Sequence, residues 1–419
     1  MSMARLGTFW NALPAWGRIL LIGALIFLVP LIIAPIEART SFGILTSLNR
    51  ALIFVVLALG LNIVVGFAGL LDLGYAAFFA IGAYTFGILT WPRHGLELGF
   101  FMAIWVCALV AAVFGLIIGS PTLRLRGDYL AIVTLAFGEI VPILVRNLDD
   151  VTLRIGDWVL VEHFNLTNGT QGMSPLGKPD LSFIEALLPV EPGTLSVGFD
   201  PRAWYFIIVL LAVIVVFASR RLEASRLGRA WKAMRDDETA ANFMGVDPIR
   251  TKLLAFAIGA SFSGLAGAIF ASMIQVISYE MFRFQVSIFL LIIVILSGAG
   301  SIYGVLIGGV IISTFDTILL AQVLPSMLPN VDIQQWRWVF FGAGLVLIML
   351  FRPQGLFGGD RHGAARGTPT VTGVHGTPAH GTPTVTGAGA HGTPTAGTSG
   401  AHGTPTARTS QGPGAEAEP

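Results

Sequence analysis

SRLGRAWKAMRDDETAANFMGVDPIRTK, residues 225–252, is a polar island between two apolar runs at about 203–218 and 252–276. Bases lead it: Arg220 and Arg221 just ahead, then Arg226, Arg229, Lys232 and Arg235. Three acids follow, Asp236, Asp237 and Glu238, and then the small residues Thr239, Ala240 and Ala241. The pattern predicts two short helices with a break between them. Gly245 suits a left-handed stop for the first. Asp247 suits an N-cap for the second and Pro248 its first residue. A knuckle of small residues on a positively flanked loop is a shape that a cytoplasmic partner can grip. The plainer reading is an ordinary connecting loop.

An island of this polarity between apolar runs makes the chain polytopic, and the composition agrees. Of 419 residues, 54% are hydrophobic and 12% charged, with mean hydropathy +0.77. Soluble domains carry about 25% charged residues, and a bilayer-crossing helix needs about 20 apolar residues. The fold class expected is therefore an all-α integral membrane protein with about 10 spans. They fall at about 18–36, 47–66, 66–90, 99–119, 129–146, 203–218, 252–276, 285–299, 303–320 and 336–351. The first is read as a retained helix and not a signal peptide, because no small-x-small cleavage site follows its long apolar run. The span at 66–90 is rich in Gly and Ala, as in helices that pack closely, and is either a full span or re-entrant. In 252–276, Ala260, Gly264, Ala268 and Ser272 recur every fourth position. Gly304 and Gly308 form a further small-residue face.

Ten spans put both termini on one side, and the positive-inside rule selects it. Arg5, Arg18, Arg124, Arg126, the island and Arg352 fall together. The opposite loops hold the weaker set Arg39, Arg50, Arg93, Arg146 and Arg154. This predicts an N-terminal segment 1–17, a membrane domain 18–357, a cytoplasmic loop 219–252 and an external loop 147–202. From about Gly358 the composition shifts. Gly-Thr-Pro occurs five times and five of the seven histidines lie there, so 358–419 is expected to be a disordered low-complexity tail. A net charge of +1 strung along loops gives no indication of nucleic acid. A single cysteine, Cys107, allows no intrachain disulfide.

Chemistry-bearing motifs are few. GMSPLGKP, 172–179, resembles a phosphate-binding loop, but Pro179 has no hydroxyl for a metal and no apolar strand precedes it, so it is read as chance. No nucleophile–His pair or metal cluster is expected in the membrane part, and no cofactor or enzymatic activity. Ionisable residues inside spans are costly and often functional. Glu139 is the deepest, with Asp72 and Asp316 nearer span ends. For Glu139 two readings stay open: a pore-lining or gating group that faces the bundle interior or the pore and not lipid, or a buried group held by a hydroxyl such as Thr134. Asp72, Tyr75 and Glu139 are the candidate pore or gating residues. Asn62 and Gln275 are read as polar glue between helices, and Trp336 and Trp338 as interfacial belt residues.

Six segments carry a family likeness: GLLDLGYAAFFAIGAY (69–84), LRGDYLAIVTLAFGEIV (125–141), LGRAWKAMRDDETAANFMGVDPIRTKLLAF (227–256), SFSGLAGAIFAS (261–272), LSGAGSIYG (296–304) and FRPQGLFG (351–358). In this order, over roughly 45–358, they resemble the LivM-type permeases of branched-chain amino acid ABC importers. The resemblance implies a transport subunit in the bacterial inner membrane, working with a LivH-like second permease. It also implies two cytoplasmic ATPases that bind the ATP and an extracytoplasmic solute-binding protein. The island corresponds to the family's EAA-type loop, whose coupling helix docks on an ATPase, and Glu238, Ala240, Ala241 and Gly245 match it. Thr239 stands where the general importer pattern has Glu, a form LivM-like chains tolerate. Thr167 to Gly172 resembles the family's T-G-G-x-x-G element, with Asn168 in place of the first Gly and an inserted stretch before it. The tail has no family counterpart. A urea-type permease is the nearest alternative, and Leu71-Asp72-Leu73-Gly74-Tyr75 leans to the amino-acid type. A stand-alone secondary transporter or channel would require charged pairs deep in several helices. A membrane scaffold would not require polar residues inside spans.

Overall fold

The computed structural model describes residues 43–357 except 97, 123–127, 156–157, 180–199, 328–331 and 353–354, together with 28–33, 35 and 37. Most of the predicted first span, the 1–17 segment, Arg124, Arg126 and the 358–419 tail lie outside the described residues. The other nine predicted spans each coincide with a helix. These are α1 (Ile44–Leu61), α2 (Tyr75–Thr90), α3 (Phe100–Thr122), α4 (Asp128–Arg146), α5 (Pro201–Ala224), α8 (Pro248–Ile274), α9 (Phe284–Ser297), α10 (Ile302–Thr314) and α11 (Ile333–Phe351). Between α5 and α8 lie two short helices, α6 (Arg226–Asp236) and α7 (Glu238–Phe243). Among the described residues, seven helical stretches are long and apolar enough to cross a membrane, and α2 and Gln335–Phe351 of α11 are shorter apolar helices.

The core forms around α8. Its every-fourth small residues are all buried, and α2 and α3 lie directly on them. A Cβ at Gly82 of α2 would fall 2.5 Å from the Gly264 Cα of α8. One at Gly264 would fall 2.7 Å from the Cys107 carbonyl of α3, and one at Gly267 2.5 Å from the Phe79 carbonyl. With no aqueous phase between helices to drive association, this backbone-to-backbone approach supplies the dispersion contacts that hold them. The Gly304 and Gly308 face closes against Ser297 at the end of α9 in the same way.

Two helices depart from α geometry. α1 ends in a π-helical stretch, Asn62–Phe67, and α10 continues as another, Phe315–Val323. After the first, the chain runs without helix from 68 to 74 before α2 begins at Tyr75. The 66–90 segment is therefore not one continuous span. Gly66, Gly69 and Gly74 release the helix, and α2 starts inside the bundle. Its freed amides find side chains: Leu73 N–H donates to Thr134 Oγ1 (3.1 Å), Gly74 N–H to Asp72 Oδ1 (2.9 Å) and Ala76 N–H to Ser287 Oγ (2.9 Å). Backbone groups in a bilayer-level break must be satisfied by protein, and here Thr134 of α4, Ser287 of α9 and Asp72 of the break itself do it.

The hydrophilic connection after α4 is not featureless. An antiparallel hairpin, β1 (Val151–Ile155) and β2 (Trp158–Phe164), occupies the stretch that looked inserted. Asn62 is glue as expected, its Oδ1 accepting the Gly300 N–H of the α9–α10 turn at 2.7 Å. Gln275 is not. It ends α8 in a left-handed conformation, φ 64°, and its amide donates back to the Ser272 carbonyl of its own helix.

Candidate functional site

The 219–252 loop folds as a rigid bracket. Ser225 caps α6, its Oγ accepting the Gly228 N–H. Trp231 is fully buried, and its indole N–H donates to the Thr251 carbonyl at 2.8 Å, tying α6 to the first turn of α8. α7 begins at Asp237, whose Oδ1 accepts the N–H groups of Thr239 (2.8 Å) and Ala240 (3.0 Å). It ends on Gly245 at φ 87°, with Gly245 N–H bonded to Asn242 O and Val246 N–H to Ala241 O, the paired bonds of a Schellman stop. Asp247 then caps α8, accepting from Ile249 and Arg250, with Pro248 as the first helical residue.

The expected stop, cap and first residue are all present, but two corrections follow. The first of the two expected helices is split at Asp237, because an aspartate there captures two amides that would otherwise open a new helix uncapped. The second is not short: it is the start of the 27-residue α8.

The sequence-predicted loop residues divide between two faces. Ala241 is buried against the bracket, whereas Thr239 and Ala240 are exposed. The room left by Ala241 therefore serves the loop's own packing and not a partner. Glu238 pairs with Lys252 of α8 at 2.7 Å, the lysine side chain being nearly buried. It neither caps amides, which is the task of Asp237, nor stands free for a partner. What α7 does present is Phe243 and Met244, each 86% exposed at its C-terminal end. The apolar pair in a polar island was the available sequence signal for them. Arg235, the last base of α6, donates to the Gly66 carbonyl and packs along Gly69. The bracket is thereby fastened to the break between α1 and α2.

The structure does not bring the three pore candidates together. Tyr75 is fully buried, and its hydroxyl donates to the Gly259 carbonyl of α8 at 2.8 Å. Asp72 is buried in a narrow crevice with Thr134, Phe137 and Phe256, one carboxylate oxygen on Gly74 N–H and the other without a partner. Glu139 is exposed. Gly138 packs on Gly74, and one residue on, about 100° round the helix, the side chain leaves the subunit's interior. The reading of Glu139 as a buried group held by Thr134 is thus corrected: that hydroxyl serves Leu73 and the Ala131 carbonyl.

Tyr75 accordingly has a fastening job. Tyr75→Phe is expected to destabilise the subunit by about 1 kcal/mol, lowering thermal unfolding in detergent by a few degrees while leaving transport within about twofold. Unchanged unfolding with a tenfold loss of transport would make it a gating residue instead.

At the opposite end, the Thr167–Gly172 element is intact despite Asn168. That residue is left-handed, φ 58°, a conformation asparagine tolerates better than most residues. Its side-chain amide donates to the Gly172 carbonyl at 2.8 Å. Gly169 and Gly172 also have positive φ, against Asp149 and the Ile277 carbonyl. Residues 172–179 continue by pairing Met173 with Ile277 and bonding under Trp91 and Ser272. Residues 176–179 themselves are not helical, and Pro179 stands where the phosphate-loop pattern needs a hydroxyl.

The family described as branched-chain amino acid transport system, permease component, matches residues 43–349. The high-affinity branched-chain amino acid transport system permease protein LivM of Escherichia coli K12 is 37% identical over 361 residues, covering 82% of this chain and 78% of the relative. Its counterpart in Salmonella typhimurium is 38% identical over 344 residues, 79% and 74% of the two chains. The permease protein LivH of Escherichia coli K12 is 24% identical over 310 residues, 73% and 91%. No solved structure matches.

Proposed function

This chain belongs to the family of branched-chain amino acid transport permeases, and on that premise we propose that it lines half of a translocation pathway for branched-chain or similar hydrophobic amino acids. It is a multi-pass membrane permease of an ABC transport system. The other half of the pathway is a LivH-like permease. Two ABC ATPases bind and hydrolyse the ATP, and an extracytoplasmic solute-binding protein delivers the substrate. The membrane is the bacterial inner membrane, with the 219–252 loop and both termini on the cytoplasmic side. The observation that carries the coupling role is α7. It is a short helix capped at both ends, braced by Trp231 and Lys252, and turns Phe243 and Met244 outward. A surface fixed from behind with an apolar pair in front suits a docking helix, because little ordering entropy remains to oppose binding. Glu139, exposed on α4, faces the second permease in this arrangement, and Asp72 holds the break at 68–74 behind it.

The test is reconstitution in liposomes. The chain with its second permease, both ATPases and the binding protein should accumulate leucine on ATP addition, and urea should not accumulate. The chain alone should accumulate neither. Robust leucine uptake by the chain alone would overturn the importer-subunit reading in favour of a stand-alone transporter.

A further inference from the structure

A cavity of about 720 Å³ opens at the end of the bundle away from the bracket. Arg50 on its wall lies 16 residues before Gly66 on the same helix, about 24 Å along its axis. Asp316 and Arg337 are paired on its wall, Arg337 Nη2 donating to Asp316 Oδ2 at 2.6 Å, with Nε 2.5 Å from Oδ1. Arg337 is further fixed over the rings of Phe289 and Trp338. Gln322 donates its amide to Ser47 Oγ at 2.6 Å, which leaves its Oε1 buried without a partner. Thr46 and Thr317 also line it, and its apolar surface comes chiefly from Phe54, Phe270, Ile274 and Met281.

A closed ion pair alone would be structural. Here a second arginine, Arg50, lines the same cavity, and a buried amide oxygen is left unsatisfied, a costly condition that a ligand donor would relieve. From these groups we infer that the cavity is a binding site for one α-amino acid zwitterion with an apolar side chain. The ligand carboxylate takes the Arg50 guanidinium, a geometry suited to a two-point bond. The ammonium donates to Gln322 Oε1 and to lone pairs of Asp316 that Arg337 leaves unused, a carboxylate having about four acceptor positions. The side chain lies on Phe270, Ile274 and Met281. The π-helical turn at Phe315–Val323 places Asp316, Thr317 and Gln322 on the cavity wall, and π segments frequently mark functional sites.

The choice of an amino acid rests on the proposed transport function, so the test reads binding and transport separately. The assembled transporter in liposomes is illuminated with a leucine analogue bearing a side-chain diazirine, and the modified residues are located by mass spectrometry. Labelling is expected on Met281, Ile274 or Phe270. Excess leucine should suppress it at least fivefold. Excess 4-methylpentanoate or 3-methylbutylamine, which lack one charge each, should not. Arg50→Gln and Ala321→Trp, the latter filling the cavity from its rim, should each reduce labelling at least fivefold without changing the amount of folded complex. Labelling confined elsewhere, equal competition by 4-methylpentanoate, or wild-type labelling in both variants would overturn the site. ATP-driven leucine uptake is measured in the same vesicles. Uptake without cavity labelling sinks the site and spares the transport reading, and cavity labelling without uptake does the reverse.

Discussion

Gly82→Leu is expected to leave almost no folded subunit in the membrane. Even a single carbon at this position would meet the Gly264 Cα at 2.5 Å and its carbonyl oxygen at 2.6 Å. Those are backbone atoms of the most heavily packed helix, so no side chain can rotate away. α2 and α8 would have to separate, and α3 rests on the same face of α8. Overpacking costs about 1–3 kcal/mol where the surroundings can shift, and here they cannot, so the loss should reach at least the upper end of that range. Gly99→Ala is the control, since nothing lies within 4 Å of a Cβ there, and exposed substitutions usually stay within about 0.5 kcal/mol. The measurement is monodisperse protein recovered by size-exclusion chromatography. Normal recovery of Gly82→Leu would show that the two helices do not touch as described.

The double replacement of Phe243 and Met244 by aspartate is expected to abolish retention of the ATPase subunits on the purified permease pair. Both side chains are free of the bracket, so insertion and stability should be unchanged. If each is a buried anchor in the complex, each contributes about 2 kcal/mol, and their joint loss weakens docking at least a hundredfold. ATP hydrolysis stimulated by the loaded binding protein should fall in parallel. Ala241→Trp is a poor probe of the same idea, since its side chain points into the loop and would damage the helix it is meant to test. Wild-type retention by the double variant would reduce the island to a plain connector.

Much of this architecture was readable from residue order. Nine helices fell where apolar runs lay, because length and hydropathy decide what a bilayer accepts. The cap at Asp247, the proline after it and the stop at Gly245 were local chemistry and were read locally. So was the family: the six segments that carried the resemblance lie within or beside the 43–349 match. What escaped the sequence depended on facing. Ala241 and Glu238 matched a motif, yet one is buried and the other is paired to Lys252, 14 positions on. Glu139 was placed by depth, and depth says nothing about rotation round the helix axis. The break at 68–74 is stabilised by Thr134, Ser287 and Arg235, all more than 60 residues away, so no window of local sequence contains its cause. The Asp316–Arg337 pair spans 21 positions and a turn whose side chains cannot be traced by an α-helical period.

The glycine seam also bears on motion. Interiors packed backbone to backbone are nearly incompressible, and helices in such contact move by small shear or as one block. α2, α3 and α8 therefore behave as a single stiff plate during any transport cycle. Displacement has to be absorbed where the chain is not clamped by neighbouring backbone. A force applied at the bracket enters α8 directly through Asp247 and Trp231, and it reaches α1 through Arg235 on the Gly66 carbonyl. The plate is thus a lever with its handle at one end, and the 720 Å³ cavity borders it at the other.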